Sequence, residues 1–227
     1  MPHTAWAAEE LSDCYSEGFD LKACENEIAS VESQFQIESA SGDLLQSLGS
    51  AYHNMYYMSP QGPISDKWEK KDYELLEKIK HSAKSADQFY AASALSSSTE
   101  DKQTYLKKTL SLDPTFAKAY VDLVKLYVDN RQWLLAFEQW KTYQATAAGQ
   151  RNPYGVEAFG LEHGLAKSGH TKEAQEVIVK LVAASNDLLP LAQCDTLRLL
   201  YLQGIKVDSL TQNKMDAIKS ACAKSSK

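Results

Sequence analysis

The sequence predicts an all-α chain assembled from antiparallel helix pairs, and three observations predict it. Apolar residues recur at spacings of 3 and 4, as in Tyr120, Leu123, Val124 and Tyr127, which places them on one helix face. Glycine and proline are sparse, 10 and 6 among 227 residues, too few for the many turns of an all-β fold. Helical segments also recur at a fixed step: one begins near Ala83 and the next near Ala117, 34 residues on.

Taken in order, residues 8–37 are expected to hold one or two helices. Glu9–Asp13 starts a helical segment, and Gly18 interrupts it. Leu21, Cys24, Ile28, Val31 and Phe35 then form a helix face, and Ser39-Ala40-Ser41-Gly42 reads as a break. Residues 43–58 form the next helix, with Leu44, Leu45, Leu48, Ala51, Tyr52, Met55 and Tyr56 at helical spacing. Ser59-Pro60-Gln61-Gly62-Pro63 is a loop by composition. Residues 65–80 follow, capped by Ser65-Asp66, with Trp68, Tyr73, Leu76 and Ile79 apolar.

The next unit spans 83–114. Ala86, Phe89, Tyr90 and Ser93 mark its first helix, Thr99 caps the second, and Tyr105, Leu106, Thr109, Leu110 and Leu112 form the second face. Asp113-Pro114 stops it, because proline lacks the amide donor that continues a helix. A further pair spans 117–145, ending on Ala136, Trp140 and Tyr143, and a loop covers 148–153. Residues 155–185 carry Leu161, Leu165, Gly169, Ala174, Ile178 and Leu181. Gly169 suits a tight turn where φ is positive, and Ala174 suits a crowded helix contact. A last hairpin is expected over 187–223, turning near Gly204.

The stretch Leu110–Tyr143, the run Leu45, Leu48, Gly49 and Tyr52, and the small residues Gly169 and Ala174 resemble the tetratricopeptide repeat. Val124 stands where that repeat usually has a small residue, and Tyr143 where it usually has alanine. The resemblance covers about 42–185. It implies a right-handed superhelical stack of helix–turn–helix units, with 8–41 and 186–227 as helical caps. An unrelated all-α bundle is the alternative fold. The remaining segment, 1–7, reads as a signal-peptide remnant or an added tail, since Ala5-Trp6-Ala7 has the form of a cleavage site.

Composition narrows the function. Net charge is −6, and arginine occurs only as Arg131, Arg151 and Arg198, so the basic stripe that nucleic-acid binding needs is missing. No run of 18 apolar residues exists, so no membrane span is expected. Four cysteines form two local pairs, Cys14 with Cys24 and Cys194 with Cys222. Local pairing needs the least chain rearrangement of the three possible connectivities and suits an oxidising compartment. Four buried thiols in a cytoplasmic protein are the alternative.

No catalytic constellation stands out. The sequence has no nucleophile elbow, zinc-protease helix, phosphate loop or dinucleotide fingerprint. Its histidines, His3, His53, His81, His163 and His170, include no metal-binding i,i+4 pair. No cofactor is implied, and carboxylate runs such as Glu69-Lys70-Lys71-Asp72 read as solvated helix faces.

What remains is binding of a peptide or partner protein. In proteins resembling this one, the first helices of successive units line a concave groove. The outward positions here are Gln46, Ser50 and His53; Lys84, Asp87 and Ala91; Lys118, Val121 and Lys125; and Val156, Phe159 and His163. Val121 and Phe159 are the apolar anchors, and the lysines set register. Phe159 has an alternative place, packed against the neighbouring unit. Tyr57, beside the 59–64 loop, is a further exposed contact, whereas Tyr52 and Tyr56 share a core-facing stripe. The expected function is therefore a non-catalytic interaction scaffold, periplasmic or secreted. The rivals are an accessory domain of a cell-wall-acting enzyme, an apolar small-molecule or lipid carrier, and a cytoplasmic adaptor.

Overall fold

The computed structural model describes residues 11–15, 19–151 and 158–184, with the isolated positions 213, 216, 217 and 220. The expected features at 1–7, Gly18, Val156 and 187–223, Cys194 and Cys222 included, lie outside the described residues, as do the side chains of Phe159 and Leu181. Among the described residues every regular element is helical. The chain divides into two compact units, Met1–Phe116 and Ala117–Lys227.

Among the described residues of the first unit, Ser12–Cys14 form a 3-10 turn, and the rest of the helical start expected from Glu9 lies outside them. Helix α1, Leu21–Gln34, begins at Asp20, whose carboxylate accepts from Lys22 N at 2.8 Å and Ala23 N at 2.9 Å. Cys24, Ile28 and Val31 are its buried face, as their spacing required. Helix α2, Gly42–Met58, is capped by Ser41, so Gly42 is its first residue and no part of the break. An added Cβ at Gly42 would stand 2.3 Å from Asp87 O, so glycine permits the approach of the next helix pair there.

Helix α3, Pro63–Ser82, starts two residues before its expected beginning. Pro63 occupies the first turn, where its missing N–H costs nothing. Gly62 supplies the positive φ of 117° that precedes it. Ser65 is not the cap; its hydroxyl accepts from Gly62 N at 3.0 Å and donates to Gly62 O at 2.9 Å. The face of α3 is also shifted: Leu75 is buried beside Trp68 and Ile79, while Tyr73 is 66% exposed. Helix α4 is Ala86–Leu95 and α5 is Thr99–Leu112. Ser98 rather than Thr99 caps α5, accepting from Asp101 N at 3.2 Å. Leu112 is exposed at its end. Helix α2 packs on α1, α3 and α4, and α4 packs on α5. Leu45, Leu48, Met55, Trp68 and Ile79 sit in one core, each contributing about 1.5–3 kcal/mol through burial.

The second unit contains α6, Ala117–Asp129, and α7, Trp133–Ala145. A short α8, Ala147–Arg151, occupies most of the expected 148–153 loop. Helices α9, Ala158–Lys167, and α10, Thr171–Ala184, complete it. Tyr120, Leu123, Val124 and Tyr127 from α6 meet Ala136, Phe137, Trp140 and Tyr143 from α7 as buried side chains. Both turns close in the same way. After α6, Gln132 N donates to Tyr127 O at 2.8 Å and Arg131 N to Val128 O at 2.9 Å. After α9, His170 N donates to Leu165 O at 2.9 Å and Gly169 N to Ala166 O at 3.2 Å. This paired closure needs a left-handed residue at its centre. Gly169 fills that role at φ 84°, and Arg131 fills it at φ 56°.

Candidate partner-binding surfaces

The residues expected to meet a partner fall into both compact units. In the second, Lys118, Val121 and Lys125 lie on α6 at spacings of 3 and 4. The core-facing side of α6 takes Ala119, Tyr120, Leu123, Val124 and Tyr127, which leaves Lys118 and Lys125 exposed and Val121 half-buried. His163 is half-buried on α9.

In the first unit, Lys84 is exposed just before α4. Asp87 is half-buried, and its carboxylate accepts a 2.7 Å hydrogen bond from Gly42 N. That bond anchors the start of α2, so one of its oxygens is already engaged within the fold. Gln46 and His53 are exposed and Ser50 is half-buried. Ala91, expected outward, is buried, because α4 faces both α2 and α5 and has little surface left for solvent.

Tyr57 is 64% exposed at the end of α2, while Tyr52 is buried and Tyr56 half-buried, as the helix spacing required. Tyr57 does not stand alone. Its ring meets His53 edge-on at 4.7 Å and Tyr56 at 5.0 Å. Met58 and Ile64, on either side of the connecting loop, are also more than half exposed.

A polar network lies on the neighbouring surface of α1, α2 and α3, and the sequence did not reveal it. Lys71 Nζ donates to both carboxylate oxygens of Glu32, at 2.6 Å to Oε2, and Tyr52 OH donates to Oε1 at 2.5 Å. The same ammonium lies 5.5 Å from the Trp68 ring centroid and 5.6 Å from that of Tyr52. Burial works to raise the Glu32 carboxyl, but the Lys71 and Tyr52 hydrogen bonds and the Lys71 charge outweigh it and hold the group below its ordinary value. Burial and the Glu32 carboxylate push the Tyr52 phenol up. The run Glu69-Lys70-Lys71-Asp72 is therefore not uniformly solvated: Lys71 and Asp72 are half-buried. Identical residue types on one helix gave no signal of this, because the partners come from α1 and α2.

Cys14 and Cys24 form a disulfide, with sulfurs 2.09 Å apart and both residues fully buried. The bridge ties the 3-10 turn to α1. Around it Asp13 N donates to Glu27 Oε2 at 2.9 Å, Asn54 Nδ2 donates to Cys14 O at 3.0 Å, and Tyr15 OH donates to Ser47 O. Such bridges persist in oxidising compartments. Among the described residues no group of three His, Cys, Asp or Glu side chains is placed to hold a metal ion. No helix among them is long and apolar enough to cross a membrane. No family model matches the chain, and no curated protein is significantly similar to it.

Proposed function

We propose that this chain is a non-catalytic protein–protein interaction scaffold whose helix pairs are of the tetratricopeptide type. The first helices of the pairs hold a peptide or partner protein, in a periplasmic or secreted compartment. The observation that supports this reading is the α6 row. Lys118, Val121 and Lys125 line one side of a helix whose other side is fully used by the core. Two cations flanking a partly covered apolar side chain suit a partner that offers apolar and acidic groups. The Cys14–Cys24 bridge supports the assignment to an oxidising compartment.

The test is capture of partners from a bacterial envelope extract by the purified chain, compared with its Lys118→Glu/Lys125→Glu variant. Loss of the captured partner in the variant supports binding on α6. Retention there, with loss in Tyr57→Ala, moves the binding surface to the α2–α3 hairpin. Capture of nothing by the native chain counts against the scaffold reading.

A further inference from the structure

We propose that the end of the α2–α3 hairpin, through Tyr57, Met58 and Ile64, seats in the headgroup layer of a zwitterionic lipid surface. This goes beyond the scaffold reading and uses none of the α6 residues.

Charge is the first argument. Residues 44–65 contain no Asp, Glu, Lys or Arg, although those types make up 24% of the chain. Burial does not account for this at the hairpin end, where Tyr57, Met58, Pro60, Gln61, Pro63 and Ile64 are all exposed. Tyr57, Met58 and Ile64 are 64%, 57% and 54% exposed. The first charges beyond the end are Asp66 and Lys67, of opposite sign, and Lys67 is paired with Glu25 at 2.6 Å. A surface without charge is matched by headgroups of no net charge, and it enters them without desolvating an ion.

The backbone is the second argument. Where headgroups give way to acyl chains water is scarce, and unbonded N–H groups are costly. In the connection between the helices Pro60 and Pro63 have no N–H. Ser59 N donates to Met55 O at 3.0 Å, and Gly62 N donates to Ser65 Oγ at 3.0 Å. Among residues 59–64 this leaves the amides of Gln61 and Ile64.

Side-chain type and area favour lipid over protein. Tyrosine suits a membrane interface because its ring is apolar and its hydroxyl polar. Tyr57 is steadied by edge-on contacts with His53, at 4.7 Å between ring centroids, and with Tyr56, at 5.0 Å. Met58 and Ile64 flank the connection, at the same end of the packed pair. The three side chains expose roughly 350–400 Å² together, whereas a stable protein contact takes about 800 Å² from each partner. A second copy or a folded partner would have to recruit the charged surface beyond them. A lipid surface has no fixed shape to match and accepts an end of this size.

The experiment sediments the full chain with phosphatidylcholine vesicles and measures the bound fraction against lipid concentration, at about 0.05 M and about 0.5 M salt. The expected result is reversible binding at lipid on the order of 1 mM, unchanged by salt within about twofold. Met58→Asp and, separately, Tyr57→Ser/Ile64→Ser are expected to weaken binding at least about tenfold. All three side chains are exposed, so both variants keep the fold, checked by an unchanged thermal midpoint. No binding by the native chain, binding that requires added phosphatidylglycerol and is lost at high salt, or binding unchanged in both variants overturns the proposal. A native chain that leaves vesicles untouched, and whose Met58→Asp variant loses a captured envelope protein, also overturns it and makes the hairpin end a protein-docking surface.

Discussion

Gln88 uses its whole amide across the first unit. Its Oε1 accepts from Lys84 N at 2.8 Å and Ser85 N at 3.2 Å, and its Nε2 donates to Ile37 O at 2.8 Å and Ala40 O at 2.9 Å. The residue is 2% exposed, so water cannot replace it without opening the core. Gln88→Ala leaves these backbone groups unpaired and is expected to cost about 2–4 kcal/mol, read as a lower urea midpoint at unchanged slope. Glu32 makes a different kind of contribution, one that depends on pH. Its folded carboxyl lies below the ordinary value of 4.5, so its stabilisation is present above that value and is lost as pH falls through the folded value. Tyr52 has the opposite sign. Its phenol is raised, so its contribution is present below the ordinary 10.0 and is lost as pH rises above it. The urea midpoint gap between the native chain and Glu32→Gln should therefore narrow from about pH 6 to about pH 3. A gap that widens on acidification contradicts the assignment.

Two turns of the second unit, built alike from different residues, give a comparison between elements. The α9–α10 turn places Gly169 at φ 84°, where glycine has no Cβ penalty. The α6–α7 turn places Arg131 at φ 56°, where an L side chain is strained. Arg131→Gly is expected to stabilise by about 0.5–1 kcal/mol, and Gly169→Ala to destabilise by about 1 kcal/mol, both read from thermal midpoints. Opposite signs at equivalent turns separate the conformational effect from any loss of contacts, since Arg131 is exposed. Glycines within helices act through space instead. At Gly164 a Cβ would stand 2.2 Å from Trp133 Cζ3, so its absence is what lets the Trp133 ring lie against α9.

At the scale of the whole molecule, the Cys14–Cys24 bridge closes a short loop, with a sequence separation of 10, at the edge of the first core. Reduction, or Cys14→Ser/Cys24→Ser, is expected to lower stability by about 2–3 kcal/mol. Hydrogen exchange should accelerate most in α1 and in residues 11–15, which the bridge holds together; unchanged exchange there removes its structural role. The sequence by itself determined the helical class, the pairs α2–α3, α4–α5, α6–α7 and α9–α10, the Gly169 turn, the inward rows of α1, α2 and α6, and the exposure of Tyr57. All of these follow from local spacing and backbone stereochemistry, which a chain carries wherever it goes. Only the tertiary structure decided that Leu75 and not Tyr73 faces the core, that Ala91 is covered, and that Asp87 is bonded to Gly42. It alone brought Lys71 onto Glu32, and half-buried its neighbour Asp72, whose carboxyl burial raises and His53 draws back down. Adjacent residues on a helix point about 100° apart and meet different neighbours, and those neighbours come from helices far away in sequence.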